Sequence, residues 1–220
     1  KTTELKGTTV LVTAGGTQEN IDPVRYIGNR SSGKMGYAIA EQAARMGANV
    51  ILVSAPTSLS VPKGVDFVPV DSALSMQEAV ESRYKDVDVV VMAAAVSDFR
   101  VLHKADQKIK KMESMTLELV KNPDILQGLG SHKEHQILVG FAAETEHVIK
   151  YGQDKVARKN LDMLVANDVS KSNAGFNVDT NEGYFLYPHK EPKEMPNMKK
   201  SELAQYIMKE VFELVANKQH

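Results

Sequence analysis

Apolar and polar positions along this chain follow two periods. Short runs such as "TTVLVTAGG" (8–16), "NVILVS" (49–54), "VDFVPV" (65–70) and "VDVVVMAAAV" (87–96) are apolar or β-branched at nearly every position. Such runs predict strands buried on both faces. "QILVGFAAE" (136–144), "LDMLVANDV" (161–169) and "EGYFLYP" (182–188) predict three more. Helical periodicity fills the intervals at 34–48, 72–84, 123–130 and 146–160, and closes the chain at 201–217. In the first helix Ala38, Ile39, Ala43 and Met46 share a face, and Gly47 ends it. Ser72 is placed to cap the second.

Strands alternating with helices predict an α/β fold: a Rossmann-like, mostly parallel sheet with helices on both faces. One stretch breaks the pattern. Residues 99–119, with "HKADQKIKKMES" inside them, follow a buried strand and are strongly charged. At that length the stretch predicts a functional flap or hairpin. Alternate lysines of "KIKK" would then face one side of a strand, Lys108 together with Lys110.

Composition narrows the class. Of 220 residues, 42% are hydrophobic and 25% charged, an ordinary globular balance. Lys and Arg number 27 against 28 Asp and Glu, so no excess of positive charge points to nucleic acid or an anionic membrane. The chain has no cysteine, which excludes disulfides and thiolate chemistry and fits a cytoplasmic location. No apolar run approaches the roughly 18 residues of a membrane span. The first residue is Lys1, which suggests a single domain over 1–220 excised from a longer chain.

In sheets of this kind ligands bind beyond the carboxyl ends of the strands. Four ends trade apolar residues for Gly, Ala and polar groups: "TAGGTQENIDPVRYIGN", "AAAVSDFR", "GFAAET" and "ANDVS". "GNRSSGKMG" (28–36) reads G-x-x-x-x-G-K and then places Met35 where a P-loop needs the Mg²⁺-binding hydroxyl. What remains is a Ser- and Gly-rich entry to a helix, whose N-terminal amides attract anions. His132 and His135 in "HKEH" read as a solvated surface pair. Tyr151 and Lys155 match Y-x-x-x-K. A dehydrogenase is the rival reading, and it is opposed by a first turn that is not G-x-G-x-x-G and by Ser54 where an acid should hold the ribose.

The ordered set "TAGGTQENIDPVRYIGNRSSGKMG", "AAAVSDFR", "KIKK", "VKNPDIL", "GFAAET", "ARKNLDMLVANDV" and "GFNVDTN" resembles the bacterial, CTP-dependent type of phosphopantothenoylcysteine synthetase. The resemblance runs from about Leu5 to the last helix. It departs at Gly16, where relatives often carry Pro, a difference expected to change loop stiffness more than chemistry. It implies a ligase of coenzyme A biosynthesis that joins 4′-phosphopantothenate to L-cysteine through an acyl-cytidylate, releasing pyrophosphate and CMP. It implies Mg²⁺ as cofactor, held by phosphates and waters and not by a dedicated set of protein ligands. It also implies a homodimer with shared active sites, and a flavin-dependent decarboxylase fused ahead of this half.

The same resemblance assigns residues. Gly15, Gly16, Ser31, Gly33 and Gly36 would line the triphosphate. Met92, Ala93, Ala94 and Asp98 would meet the nucleotide and acyl phosphate. Asn122, Pro123, Asp124, Ile125 and Phe141 would surround the cytidine. Lys155 and Lys159, one helical turn apart, would face the phosphates or sugar. Lys108 would neutralise charge on the α-phosphate. Asn29, Ala94 and Ala95 would hold phosphopantothenate and its acyl-cytidylate, with Arg25 reaching in from the neighbouring subunit.

Overall fold

β1 (Thr9–Ala14) is buried along almost its whole length. A strand that is apolar on both faces belongs inside a sheet. It lies between β4 (Asn49–Ser54) and β6 (Val89–Met92), parallel to both. The chain is represented by a computed structural model, in which residues 1–170 and 180–218 are described. Most of "GFNVDTN" lies outside those residues.

The main sheet is completed by β5 (Val65–Pro69), β9 (Ile137–Glu144), β10 (Met163–Asp168), β11 (Thr180–Leu186) and β12 (Lys193–Lys199). Its order is β12-β11-β10-β9-β6-β1-β4-β5. From β10 to β5 all neighbours are parallel, while β11 and β12 form an antiparallel edge. The expected α/β, mostly parallel architecture is therefore present. The strand absent from the sequence reading is β12. Its "KEMPNMK" is charged and buries only Met195 and Met198, and Pro196 is tolerated because the strand is an edge.

Two helical layers cover the sheet. α1 (Lys34–Arg45) and α5 (Lys200–Lys218) pack on one face, where Ile39, Ala43, Leu203 and Ile207 meet Val10, Val91, Val139 and Val165. α2 (Ala73–Glu81), α3 (Ile125–Ser131) and α4 (Val148–Lys159) pack on the other, where Met76, Leu129 and Val156 meet Leu11, Val90 and Leu138. The Ser72 hydroxyl accepts the Ser75 amide at 3.1 Å, the cap its position predicted.

From β1 the chain builds outward through β4 and β5, then returns to build the other half from β6. The gap between β1 and β6 is thus the switch point at which two loops diverge and leave a crevice. Two small hairpins flank it: β2 (Glu19–Asn20) with β3 (Tyr26–Ile27), and β7 (Phe99–Val101) with β8 (Leu119–Lys121). The second is the base of the expected flap. The strand expected at "KIKK" is not formed: residues 108–111 carry no regular structure. Lys108 and Lys110 therefore share no strand face, because the ladder of this hairpin stops after Val101 and Leu119.

Candidate functional site

The loops that leave β1 and β6 are stitched together at Ala95. Its N–H donates to the Gly15 carbonyl at 2.8 Å, and its carbonyl accepts the Thr17 amide at 3.1 Å. The same carbonyl accepts Nδ2 of Asn29 at 2.8 Å. Oδ1 of Asn29 in turn accepts the Ser31 amide at 3.0 Å. The carboxamide is held at both ends, and through it the two strand ends are tied to the entry of α1. Behind this layer the Thr13 hydroxyl accepts the Ala94 amide at 3.1 Å. Thr17 does the same for the Ser97 amide at 2.9 Å.

The cap residue of α1 is Gly33, which has no side chain to cap with, and the first helical amide, that of Lys34, donates to the Ser32 hydroxyl at 3.3 Å. Gly33 occupies the cap position at φ 81, and a β-carbon there would press on the Thr57 methyl. The other opening amides have no side-chain partner from the cap residue, and the helix dipole favours negative charge at this end. Gly36 plays a second part: a β-carbon would strike Ala14, so it brings the helix close to β1.

These elements enclose a cavity of about 590 Å³, the size of a small-molecule site. Asn29, Ser31, Gly33, Gly36, Ala93, Ala94, Ala95, Asp98 and Phe141 all line it. Those predicted residues are thus brought together. Gly15 and Gly16 lie one layer behind, against Ala55 and Asn29. Met92 is buried under the cavity floor, where its sulfur accepts the Thr13 hydroxyl at 3.6 Å.

Others lie apart from it. Asn122 is buried, and its carboxamide donates to the Ser97 carbonyl at 2.9 Å and accepts from Arg100 at 3.1 Å. Its side chain braces the base of the flap. Pro123, Asp124 and Ile125 carry the chain into α3 on the opposite face of the sheet, where Ile125 is buried. Lys159 pairs with Asp124 at 3.0 Å, and Lys155 with Glu144 at 2.8 Å. Burial pushes the Asp124 carboxyl up, but the Gln127 amide and Lys159 outweigh it and hold it below the usual range. Lys108 is exposed on the flap.

Among the lining residues to which sequence reasoning gave no role are Lys34, Lys200 and Asn167. Asn167 stood in the quoted "ANDVS", whereas Lys200 carried no signal inside a charged "NMKK". Among the described residues no cluster of three His, Asp or Glu could hold a metal.

The Gly16 departure has a consequence beyond loop stiffness. A β-carbon on Gly16 would collide with the Asn29 carboxamide, a flexible group that would yield. Gly16→Ala is therefore expected to fold normally and to displace Asn29. Thermal stability should drop by no more than the two Asn29 hydrogen bonds contribute, about 1 kcal/mol each, and the ligation that the resemblance implies should slow. Wild-type turnover would show that Asn29 does not need its observed position.

The flap is anchored by Asp22, whose side chain is fully buried. Its carboxylate accepts the amides of Val24 at 2.9 Å, Arg25 at 2.8 Å and Ile109 at 3.0 Å. It also pairs with the Arg25 guanidinium at 2.7 Å, and that group donates to the Ile109 carbonyl at 3.2 Å. The Ile109 amide is the main cause that holds the Asp22 carboxyl below its ordinary 3.8, against burial, which pushes it up. A depressed carboxyl stabilises the folded state above its unfolded pKa and loses that effect as pH falls through the folded value. The anchor should thus be intact from neutral pH to about pH 4 and release only below it. Asp22→Asn should loosen it at neutral pH, and tryptic cleavage at Lys108, Lys110 or Lys111 should become several-fold faster. Unchanged cleavage would mean that Asp22 does not hold the flap.

Among the described residues no helix is long and apolar enough to cross a membrane. The chain is 49% identical to the coenzyme A biosynthesis bifunctional protein CoaBC of Bacillus subtilis (strain 168) over 212 residues, which is 96% of this chain and 52% of that protein. It thus spans about half the length of that curated relative. A crystal structure of the C-terminal domain of a CoaBC protein matches with TM-score 0.85 at 42% identity, covering 98% of this chain and 100% of that one. A Cab2 mutant in complex with phosphopantothenate-cysteine matches with TM-score 0.74 at 18% identity, covering 97% of this chain and 88% of that one, and shares the fold. The family described as the DNA/pantothenate metabolism flavoprotein C-terminal domain matches residues 5–215, and the chain belongs to it.

Proposed function

We propose that this chain ligates 4′-phosphopantothenate and L-cysteine with CTP, as the synthetase half of a bifunctional enzyme of coenzyme A biosynthesis. The observation that carries the reading is the Asn29 clamp. It places a hydrogen-bonding carboxamide in one cavity with the glycine-led start of α1. An anion site beside a donor for a carbonyl oxygen is what a phosphate-activated acyl group requires. The relatives named CoaBC support the pathway, and the Cab2 complex supports the class of product.

A free carboxylate is a poor acyl donor, so it must first be activated. The carboxylate of phosphopantothenate attacks the α-phosphorus of CTP and pyrophosphate leaves. The opening amides of α1, with Ser31, take phosphate oxygens, and Lys108 swings in on its flap to offset charge at the α-phosphate. The cysteine amine then attacks the acyl carbon, CMP leaves, and the nitrogen gives up its proton. Asn29 holds the acyl group in place through this step. Mg²⁺ would travel with the triphosphate. It fits here because it keeps several waters and needs one or two carboxylates at most, and Asp98 lines the cavity.

A second copy of the chain would complete the site. Val24, Tyr26, Phe99, Leu102 and Leu119 are all exposed on or beside the two small hairpins. An apolar face of that kind favours association, and Arg25 lies next to it.

Pyrophosphate release measured with phosphopantothenate and each of the four nucleoside triphosphates, with and without cysteine, tests the reading. Release with CTP that requires phosphopantothenate is expected. Failure with every nucleotide would end it.

A further inference from the structure

The outer side of α1 carries a second opening, outside the cavity of the reaction above. β4 and β5 are parallel, with Val50 opposite Val65 and Ser54 opposite Pro69. The connection between them, residues 55–64, must therefore run back along the sheet, and its second half lies beside α1. Between the two is a groove of about 800 Å³. Ala38 and Ala44 of α1, with Leu59 and Val61 of the connection, give it apolar walls. Val61 is 44% exposed there, a large apolar side chain left open to the groove.

The charges around these walls are one-sided. Lys1, Lys34, Arg45 and Lys63 line the groove against one acid, Glu41. That acid is already paired with Arg45 at 2.8 Å. The cations also stand at both ends. Lys34 opens α1 and Arg45 closes it, which sets them about 16 Å apart at 1.5 Å per residue. Lys63 lies at the Arg45 end, because Val65 pairs with Val50 just beyond α1. An apolar trough with cations at both ends complements a linear molecule with a neutral middle and an anion at each end. Pyrophosphate is too compact to reach both ends, and CTP carries its charge at one.

We infer that this groove is a second binding site, for the ligated product. The inference rests on the function proposed above. 4′-Phosphopantothenoyl-L-cysteine has a phosphate at one end, the cysteine carboxylate at the other and an uncharged arm between them. Lys34 lines both the groove and the catalytic cavity. The phosphate can thus pass from the start of α1 into the groove while staying beside one cation. The carboxylate then reaches Arg45 and Lys63. Product held in this way clears the cavity for new substrates and stays on the protein.

The test is a titration of the isotope-labelled chain followed by amide NMR. The amides of Ala44, Val61 and Lys63 report the groove, and those of Ala94 and Ala95 report the catalytic cavity. Product added to about 1 mM should shift both sets. 4′-Phosphopantetheine, the product without its carboxylate, should bind the groove roughly tenfold or more weakly, as expected for the loss of a charge-assisted contact. Lys63→Glu should weaken product in the groove by a similar factor and leave the affinity read at Ala94 and Ala95 within about twofold. Lys63 is exposed, so the variant should fold. Groove amides that stay still, that respond equally to the molecule without its carboxylate, or that keep their affinity in Lys63→Glu would overturn the site. If Ala94 and Ala95 alone move, the proposed function stands and the groove falls. If the groove amides alone move, with the charge dependence above, the proposed function falls and the groove stands as a site for an anion of this two-ended class.

Discussion

Asn29→Asp should release pyrophosphate from CTP at close to the wild-type rate while forming ligated product roughly 10²-fold more slowly, the usual effect of losing one donor to a developing oxyanion. The reason lies in the two hydrogens of Nδ2. One is committed to the Ala95 carbonyl at 2.8 Å. The other is available to an oxygen in the cavity. Attack of cysteine on the acyl carbon builds negative charge on the carbonyl oxygen, and a donor already fixed in place stabilises it without reorganisation. Attack of the carboxylate on phosphorus builds no such charge there, so the first half-reaction is spared. Aspartate keeps an acceptor for the Ser31 amide but sets an oxygen against the Ala95 carbonyl, and the side chain should swing away. The acyl-cytidylate should accumulate and be recoverable by rapid quench with labelled CTP. Normal product formation, or equal loss in both half-reactions, would remove Asn29 from this role.

What could be read from the sequence, and what could not, divides along physical lines. Buried strands announce themselves because both faces must be apolar, so "TTVLVTAGG" and "VDVVVMAAAV" located the middle of the sheet. Strand-end glycines and alanines located the cavity floor, since only small residues let two loops meet as they do at Gly16 and Ala95. β12 was hidden because an edge strand need bury only one row, here Met195 and Met198. Asp22 was hidden because its importance comes from amides up to 87 residues away, and no local pattern records that. Lys200 was hidden because a cavity-lining lysine and a solvated one have the same letter. The resemblance supplied roles for Lys155 and Lys159. The fold puts both on the α3 and α4 side in ion pairs with Glu144 and Asp124. Contact with the nucleotide then requires those pairs to open or to share their cations with the ligand.

Mixing Arg25→Ala and Asn29→Asp chains, at a phosphopantothenate concentration where each alone turns over slowly, should restore activity, to about a quarter of wild type if subunits exchange at random in a two-fold dimer. The count follows from a site that takes Asn29 from one chain and Arg25 from its partner. Half of the dimers formed are then mixed, and each mixed dimer has one site with both native residues and one with neither. If instead both residues come from one chain, no mixture contains an intact site and activity stays at the level of the parents. Within one chain, the Arg25 guanidinium is held by Asp22 and by the Ile109 carbonyl, with its side chain 39% exposed beside the apolar hairpins. It thus has an open side directed at whatever covers that face, and its anchor also fixes the flap that carries Lys108. Arg25→Ala should accordingly raise the KM for phosphopantothenate more than that for CTP, measured in the same assay. Recovery near a quarter together with that split in KM would place the partner's arginine on phosphopantothenate. Absence of recovery, with exchange verified by differently tagged chains, would confine each site to a single subunit.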